Sequence, residues 1–440
     1  MSGLAGLEAL VVAVRALLEH DGQEFWAPAP PPEPLDPALA GLLAQLEPGS
    51  WQRDLGLALA LRRNGPLRQA YLRAALARGG LPDLLERLAL AEGEGWPALR
   101  LRLLAGAWRN DPVRLESLAE GLAERVGLGL AAGLAYLDPA VRLPAEAWEV
   151  PRLSQPPEVG AGVVFPAAVI AEALLTAGSL SVAPLVKEIV DRWTPVGWSY
   201  WNPAFLPPDA DTLGQVLQVL VRTLDPGDFG RFAAGPAALA AAQVGPDGAV
   251  PVMLAAGGAW SREAADGVWV VRRCPAVAAN LFTGLYLLDP ERYGETAERG
   301  ARLLLSWRER TGSWEGPGYR PPYGRYVALR FLALLGSFEG LADERELILA
   351  EQRWDGSWGT PQATALNLST LLTLGERGDA VDRAALYLTE TQQVQGCWRS
   401  EPLWLTPGPG GYPATYYESV PVTTALCLRA LARWMAHRRT

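Results

Sequence analysis

Two aspartates that follow a run of aromatic residues and a pair of prolines are the residues of this chain best suited to acid–base chemistry. Residues 197–215 read GWSYWNPAFLPPDADTLGQ, with Asp209 and Asp211 two positions apart. Pro207-Pro208 cannot lie inside a helix, whereas the apolar residues of 213–224 recur at helical spacing. We therefore predict that both carboxyl groups lie on the turn that opens a buried helix, beside aromatic side chains.

A structural role accounts for the same two aspartates. An aspartate at the start of a helix often accepts a hydrogen bond from a backbone N–H group, which stabilises the helix by about 1 kcal/mol. The residues DADT alone do not distinguish such a cap from a catalytic acid. Both interpretations therefore stay open at this point.

The wider string GWSYW…PPDADT resembles the catalytic stretch of class II terpene cyclases, the family of squalene-hopene cyclase and its smaller relatives, where a GWSF-like string precedes the acid motif DxDDTA. By this resemblance Asp209 matches the first aspartate of the motif, and Asp211 matches the central one, which protonates the substrate. Thr212 stands where the family has its last aspartate, and Leu213-Gly214 replaces Thr-Ala. A threonine hydroxyl can replace a hydrogen bond but not a charge, so we expect slower chemistry or a substrate that is easier to protonate.

The resemblance implies an isomerase of the class II type. Such an enzyme cyclises a linear isoprenoid by protonating an alkene or an epoxide, with Asp211 as the acid and with Asp209 and Thr212 orienting it. Burial and the neighbouring Asp209 charge are expected to raise the pKa of Asp211, which keeps it protonated near neutral pH.

Four glycine-containing turns recur in the second half of the chain, at 243–250, 307–314, 352–358 and 392–398. Their spacing is that of helical hairpins, which indicates a repeat architecture. The turns resemble the QW motifs of the squalene cyclase and prenyltransferase superfamily, most closely QRWDGSW at 352–358 and QQVQGCW at 392–398. We predict that they lie outside the ring and stabilise it, with each glycine permitting a tight turn.

The predicted fold is all-α, with an (α/α)6 toroid of QW-like repeats and a smaller N-terminal helical domain. The toroid is assigned to 151–440 and a reduced helical domain, similar to a second toroid, to 38–150. A first helix lies in 1–26, where the family's two-domain members have a helix that packs on the catalytic toroid. The proline-rich stretch 27–37 reads APAPPPEPLDP and is expected to connect this first helix to the reduced helical domain.

Aromatic faces stabilise a carbocation without reacting with it, by roughly 0.5 to 2 kcal/mol each when water is excluded. For any one aromatic residue, packing in the core is the alternative. The candidates to line the cavity are Trp198, Tyr200, Trp201, Phe205, Trp260, Trp269, Tyr319, Tyr323, Tyr326, Trp404, Tyr412, Tyr416 and Tyr417. The candidates to hold a diphosphate, with solvated surface positions as the alternative, are Arg272, Arg273, Arg320 and Arg325.

The sequence argues against several other classes of protein. The two histidines, His20 and His437, lie near the ends of the chain, so zinc chemistry and Ser-His or Cys-His catalysis lack a positioned imidazole. Without a DDxxD string, ionisation-initiated terpene chemistry has no support, and no cofactor is expected apart from Mg²⁺ with a diphosphate substrate. The net charge of −9 argues against nucleic acid.

The expected partner is a small isoprenoid. We expect the protein to be cytoplasmic, with contact at a membrane surface possible, because no uninterrupted apolar run is long enough to span a bilayer. The alternative function is a toroid that binds an apolar ligand or a protein without catalysis. The interior of the ring distinguishes the two, because an aromatic-lined cavity with Asp211 at one end favours the enzyme.

Overall fold

The computed structural model describes residues 112–138, 163–200, 207–254, 274–316, 318–337, 341–353, 355–406 and 415–438. The chain divides into two compact units. One comprises 1–127, 351–360 and 378–389, and the other comprises 128–350, 361–377 and 390–440. The predicted first helix, the proline-rich connector and the domain boundary near residue 150 all lie outside the described residues, so the domain assignment stays a prediction.

The described part of the chain is mostly helical with almost no sheet, which confirms the all-α prediction. The helices are α1 (Pro112–Tyr136), α2 (Val164–Thr176), α3 (Ala183–Asp191), α4 (Ala210–Thr223), α5 (Pro226–Ala242), α6 (Pro275–Leu288), α7 (Pro290–Thr311), α8 (Tyr323–Leu334), α9 (Leu341–Glu351), α10 (Pro361–Thr373), α11 (Asp379–Thr391) and α12 (Val420–His437). The sequence did not indicate the one described sheet, an antiparallel pair of β1 (Pro402–Thr406) and β2 (Thr415–Glu418).

Six helices of the larger unit form a closed circle, which we call the helix ring. The ring consists of α2, α4, α6, α8, α10 and α12; each packs on the next, and α12 returns to α2. These helices are buried along most of their length because apolar or small residues occupy nearly every side. In contrast α7, which is not a ring helix, buries one face and exposes its charged residues.

The ring helices run parallel to one another. Residues near the starts of different ring helices contact one another, and so do residues near their ends. Asp211 at the start of α4 contacts Asn280 on the first half of α6, whereas Arg433 near the end of α12 bonds Thr373 at the end of α10. The loops that precede the ring helices therefore gather at one end. The hairpin lies at this end, since Tyr319 pairs with Trp404 of β1.

Three of the four recurring turns share one backbone geometry. In each, a residue donates its N–H to the carbonyl four positions later, and a glycine donates back to the first residue. The glycines have left-handed φ angles, which confirms that glycine is needed for the tight turn. An added Cβ would come within 2.4 Å of a backbone carbonyl oxygen on a helix that is not one of the six ring helices. The pairs are Gly248 with Arg299, Gly356 with Arg383, and Gly396 with Ala132.

The glutamines of two turns connect each turn to a further helix. Gln392 donates to the carbonyls of Gly396, in its own turn, and of Gly129 on α1, both at 2.9 Å. Gln352 likewise donates to Gly356 at 2.9 Å and to Ala380 on α11 at 2.8 Å. The fourth turn differs, since Gly312 ends α7 as a left-handed cap. The QW interpretation of these turns and their position outside the ring stay predictions.

Candidate active site

Asp209 is the residue immediately before α4, and both of its carboxylate oxygens accept backbone hydrogen bonds. Oδ1 accepts from the Thr212 N–H and Oδ2 from the Tyr200 N–H, both at 2.7 Å. The side chain is 4% exposed. Asp209 therefore caps the helix, as the structural interpretation predicted, and its cap lies in the interior. Because backbone groups hold both oxygens, this carboxyl group is fixed in orientation.

Asp211 lies in the first turn of α4 and is also buried, but side chains hold it. The Asn280 amide nitrogen donates to Oδ1 at 2.7 Å, and the Tyr319 hydroxyl donates to Oδ2. Asn280 also donates to the Tyr323 hydroxyl at 3.1 Å. Residues from α4, α6, α8 and the loop before α8 thus meet at one carboxyl group. The sequence analysis did not identify Asn280, although it is a lone amide in the apolar run of α6.

Two glycines explain how Asn280 reaches Asp211. A Cβ on Gly214 would lie 2.4 Å from the backbone carbon of Asn280, and a Cβ on Gly284 would lie 2.6 Å from the Gly214 carbonyl oxygen. Any larger residue at either position would force α4 and α6 apart. The glycine that replaces the family's alanine therefore places the two helices close together.

Burial raises the pKa of both aspartates. Burial raises the pKa of Asp209 to about 7; the Thr212 N–H bond lowers it and the Asp211 charge raises it further. Burial raises the pKa of Asp211 to about 6, against the lowering effect of its bonds from Tyr319 and Asn280. The expected rise in the pKa of Asp211 through burial is confirmed. The pair therefore retains a proton close to neutral pH.

Thr212 contributes mainly through its backbone. Its N–H group bonds Asp209, and its fully buried hydroxyl makes no hydrogen bond of good geometry among the described residues. The hydroxyl lies near enough to Asp209 to lower the pKa of that carboxyl group slightly. The position occupied by the family's last aspartate is therefore close to the acid pair and holds no charge.

A chain of aromatic rings lies next to the aspartates. Tyr200 and Trp404 lie 5.7 Å apart between ring centroids, and each contacts Phe165 at the start of α2, at 6.1 and 5.5 Å. Trp404 also lies 6.4 Å from Tyr319, which stacks on Tyr323 at 4.3 Å. Burial, followed by the neighbouring Tyr417, Asp209 and Asp211, raises the pKa of Tyr200. Phe165 had no signal in the sequence beyond its apolar surroundings.

The remaining candidates are placed less centrally or lie outside the described residues. Tyr326 contacts Tyr323 at 6.0 Å, and Tyr417 pairs with Trp404 across the hairpin. Trp198 is fully buried and donates its indole N–H to Ile189 on α3 at 2.7 Å, which is a packing role. The candidates outside the described residues are Trp201, Phe205, Trp260, Trp269, Tyr412, Arg272, Arg273 and the side chain of Tyr416.

The two described arginine candidates flank the loop before α8. Arg325 donates to the Asn367 side chain on α10 at 2.9 Å, and the Arg320 backbone donates to Leu403 on β1 at 2.9 Å. Neither contact tests a role in binding a diphosphate. Within the described ranges, no group of three or more histidine, cysteine, aspartate or glutamate side chains could hold a metal ion. Among the same residues, no helix has the length and apolar character needed to cross a bilayer.

The chain has a class II terpene cyclase-like fold. Structures of the type II terpene cyclase MstE from Scytonema match 71–72% of this chain and 99% of their own. A variant in complex with geranylgeranyl dihydroxybenzoate, its substrate, gives a TM-score of 0.58 at 18% identity. The apo enzyme gives 0.58 at 19%, and a variant bound to the product merosterolic acid A gives 0.58 at 18%. No protein-family model and no curated protein sequence matches the chain.

Proposed function

We propose that the protein is a class II terpene cyclase that protonates a linear isoprenoid. The observation that carries the proposal is the Asp209–Asp211 pair, two buried carboxyl groups with raised pKa values beside aromatic rings, in a chain with a terpene cyclase-like fold. An aspartate that only capped a helix would gain nothing from burial next to a second carboxylate, because burial of charge destabilises the fold.

Asp211 is the proton donor in this proposal. Backbone N–H groups hold both oxygens of Asp209, whereas the side chains of Asn280 and Tyr319 hold those of Asp211. Asp211 transfers its proton to a terminal alkene carbon or an epoxide oxygen, which leaves a carbocation. The hydrogen bonds from Asn280 and Tyr319 then stabilise the carboxylate.

The aromatic rings act on the carbocation. Electron pairs of successive alkenes close the rings, and the last cation loses a proton or takes up water. The faces of Tyr200, Trp404 and Phe165 stabilise positive charge during these steps and carry no strong nucleophile to trap it. Arg320 and Arg325 remain candidates to hold a charged head group, and Mg²⁺ would accompany a diphosphate.

The substrate is proposed to be a polyprenyl compound. Two variants of MstE are in complex with geranylgeranyl dihydroxybenzoate, which supports a chain of this kind. Such a molecule is sparingly soluble in water, so the proposal includes its uptake at a membrane surface.

Incubation with linear isoprenoids tests the proposal. Farnesyl and geranylgeranyl alcohols, their diphosphates and geranylgeranyl dihydroxybenzoate would each be incubated with the purified protein, followed by mass spectrometry of the products. We expect a cyclic isomer from at least one of them. Asp211→Asn should abolish turnover while preserving the fold, and Asp209→Asn should slow it.

Asp225 provides the matched control. It caps α5 with the same type of backbone bonds as Asp209, but it is exposed. Asp225→Asn should leave turnover unchanged. If the wild-type protein and Asp211→Asn prove equally inert on the whole panel, while the wild-type protein still binds an apolar ligand or a protein, the alternative of a non-catalytic toroid would replace the enzyme.

A further inference from the structure

A second buried carboxylate group lies in the helix ring, one helical turn beyond the aspartates. Glu172 on α2 is 2% exposed. It accepts hydrogen bonds from Gln215 at 2.8 Å, from Arg429 at 2.7 Å and from Arg330. Burial opposes its ionisation, but the two guanidinium groups outweigh burial and lower its pKa to about 2. Glu172 is therefore ionised at every physiological pH.

Further positive charge surrounds this carboxylate. Arg433 donates to the Ser369 carbonyl at 2.9 Å and to the Thr373 hydroxyl at 2.8 Å. Burial, followed by the charges of Arg429 and Arg330, lowers the pKa of Arg433 to about 10. The pKa of Arg222, at the end of α4, is lowered by the same causes. We call Arg222, Arg330, Arg429 and Arg433 the arginine cluster.

The cluster contains an excess of charge that the described residues do not balance. Of the four guanidinium groups, those of Arg330 and Arg429 bond Glu172, whereas that of Arg433 bonds neutral oxygens of Ser369 and Thr373. Uncompensated charges are costly to keep in a partly buried position. An anionic ligand would balance this excess.

Unpartnered polar atoms give a second, independent indication of a ligand. Tyr326 is 3% exposed and Arg429 is 7% exposed, with the guanidinium 5.6 Å from the centroid of the tyrosine ring. The Tyr326 hydroxyl and the Arg429 Nε find no hydrogen-bond partner among the described residues. Buried donors of this kind nearly always have an acceptor in the functional state of a protein. Both atoms belong to residues that contact one another within the cluster.

The cluster is separate from the aspartates along the helix ring. Arg222 follows Asp211 by eleven positions on α4, which corresponds to about 16 Å along a helix. Arg222 is exposed, so solvent reaches this end of the cluster. The cluster therefore reaches the surface at a point away from the acid pair.

We propose that the arginine cluster binds a phosphate-class oxyanion. Planar guanidinium groups that approach from α4, α8 and α12 suit the several oxygens of a phosphate or diphosphate better than the single plane of a carboxylate. The excess of positive charge also matches a multiply charged anion. Arg433 and Arg222 supply the contacts, while Glu172 fixes Arg330 and Arg429 beneath them.

Calorimetric titration of the full chain with sodium pyrophosphate, at constant ionic strength, tests the site. We expect one saturable site per chain. Arg433→Gln should weaken binding about tenfold or more, because it removes a charge-assisted contact. Arg222→Gln should weaken it as well, and as a surface substitution it serves if Arg433→Gln fails to fold. Arg345→Gln is the control, since Arg345 is a partly exposed arginine 4.0 Å from Glu376 and should leave binding unchanged.

Absence of saturable binding to the wild-type protein would overturn the proposal, as would equal affinity in the wild-type protein and both cluster variants. The arginines would then only balance the negative C-terminal ends of the parallel ring helices. Asp211→Asn should bind pyrophosphate like the wild-type protein. Anion binding therefore stands or fails independently of cyclase activity.

Comparison of ligands identifies the source of the phosphate group. Tighter binding of geranyl diphosphate than of pyrophosphate would show that the site takes a prenylated anion. Geraniol serves as the uncharged control. Equal affinities of geranyl diphosphate and pyrophosphate would show that it takes the free anion. Either result supports the site.

Discussion

The buried carboxylates of the helix ring have opposite pKa shifts at two positions along it. Asp209 and Asp211 are buried with no cation paired to them among the described residues, and their pKa values rise to about 7 and about 6. Glu172 is equally buried, but Arg330 and Arg429 lower its pKa to about 2. Burial alone thus creates a group that retains a proton, whereas burial with arginines creates a permanent anion. The difference determines which end of the ring can donate a proton.

The largest effect on stability is expected at the Glu172 end. Arg429→Met keeps the volume of the side chain but leaves Glu172 with one guanidinium partner. Breaking a buried ion pair from one side costs about 3–5 kcal/mol. Denaturant unfolding would measure the loss in the free energy of unfolding, with Arg345→Met as a control that should change it by less than about 1 kcal/mol. A small loss for Arg429→Met would mean that arginines do not distinguish the two ends.

A smaller effect is expected where α4 meets α6. Gly214→Ala adds a methyl group that would lie 2.4 Å from the Asn280 backbone, so the helices must separate. We expect a loss of about 1–3 kcal/mol in unfolding free energy and reduced turnover, because Asn280 moves away from Asp211.

Gly230→Ala is the matched control for this helix contact. Gly230 lies in α5, and an added Cβ there meets no atom within 4 Å. The substitution should stabilise the protein by about 0.5–1 kcal/mol. Equal behaviour of the two alanine variants would contradict the role assigned to Gly214.

The smallest and most specific change concerns the missing carboxylate. Thr212→Asp restores the family motif at a buried position next to Asp209. The added negative charge should stabilise the carbocation and raise the rate of cyclisation, at some cost in stability from a third buried carboxyl group. Steady-state kinetics on the best substrate of the panel measures the effect. An unchanged or lower rate would show that the missing carboxylate does not limit the reaction.

The sequence predicted the elements more reliably than the contacts between them. Helical spacing predicted a buried helix over 213–224, where α4 lies, and the prolines placed Asp209 and Asp211 at its start. Local signals suffice for these features, because they depend on neighbouring residues. The hairpin of β1 and β2 was missed because its strands are short and glycine and proline dominate the connection between them.

The partners of the aspartates could not be predicted in the same way. Asn280 and Glu172 each interrupt an apolar helix, which marks them as unusual but does not say what they contact. Asn280 reaches Asp211 only because Gly214 and Gly284 let two helices approach closely. Glu172 differs from Asp211 only through arginines on α8 and α12. These contacts depend on closure of the ring, which no local pattern encodes.

An infrared titration of the aspartate pair tests the central claim most directly. The protonated carboxyl band of the wild-type protein would be compared with those of Asp211→Asn and Asp209→Asn from about pH 4 to pH 9. Because the pKa of each aspartate is raised in the folded protein, its carboxyl group keeps its proton below the folded-state pKa and loses it above that pKa. We predict a band that persists at pH 6, disappears by about pH 8 and is reduced in both variants. Complete ionisation of both aspartates by about pH 5, as in an unfolded chain, would contradict the account.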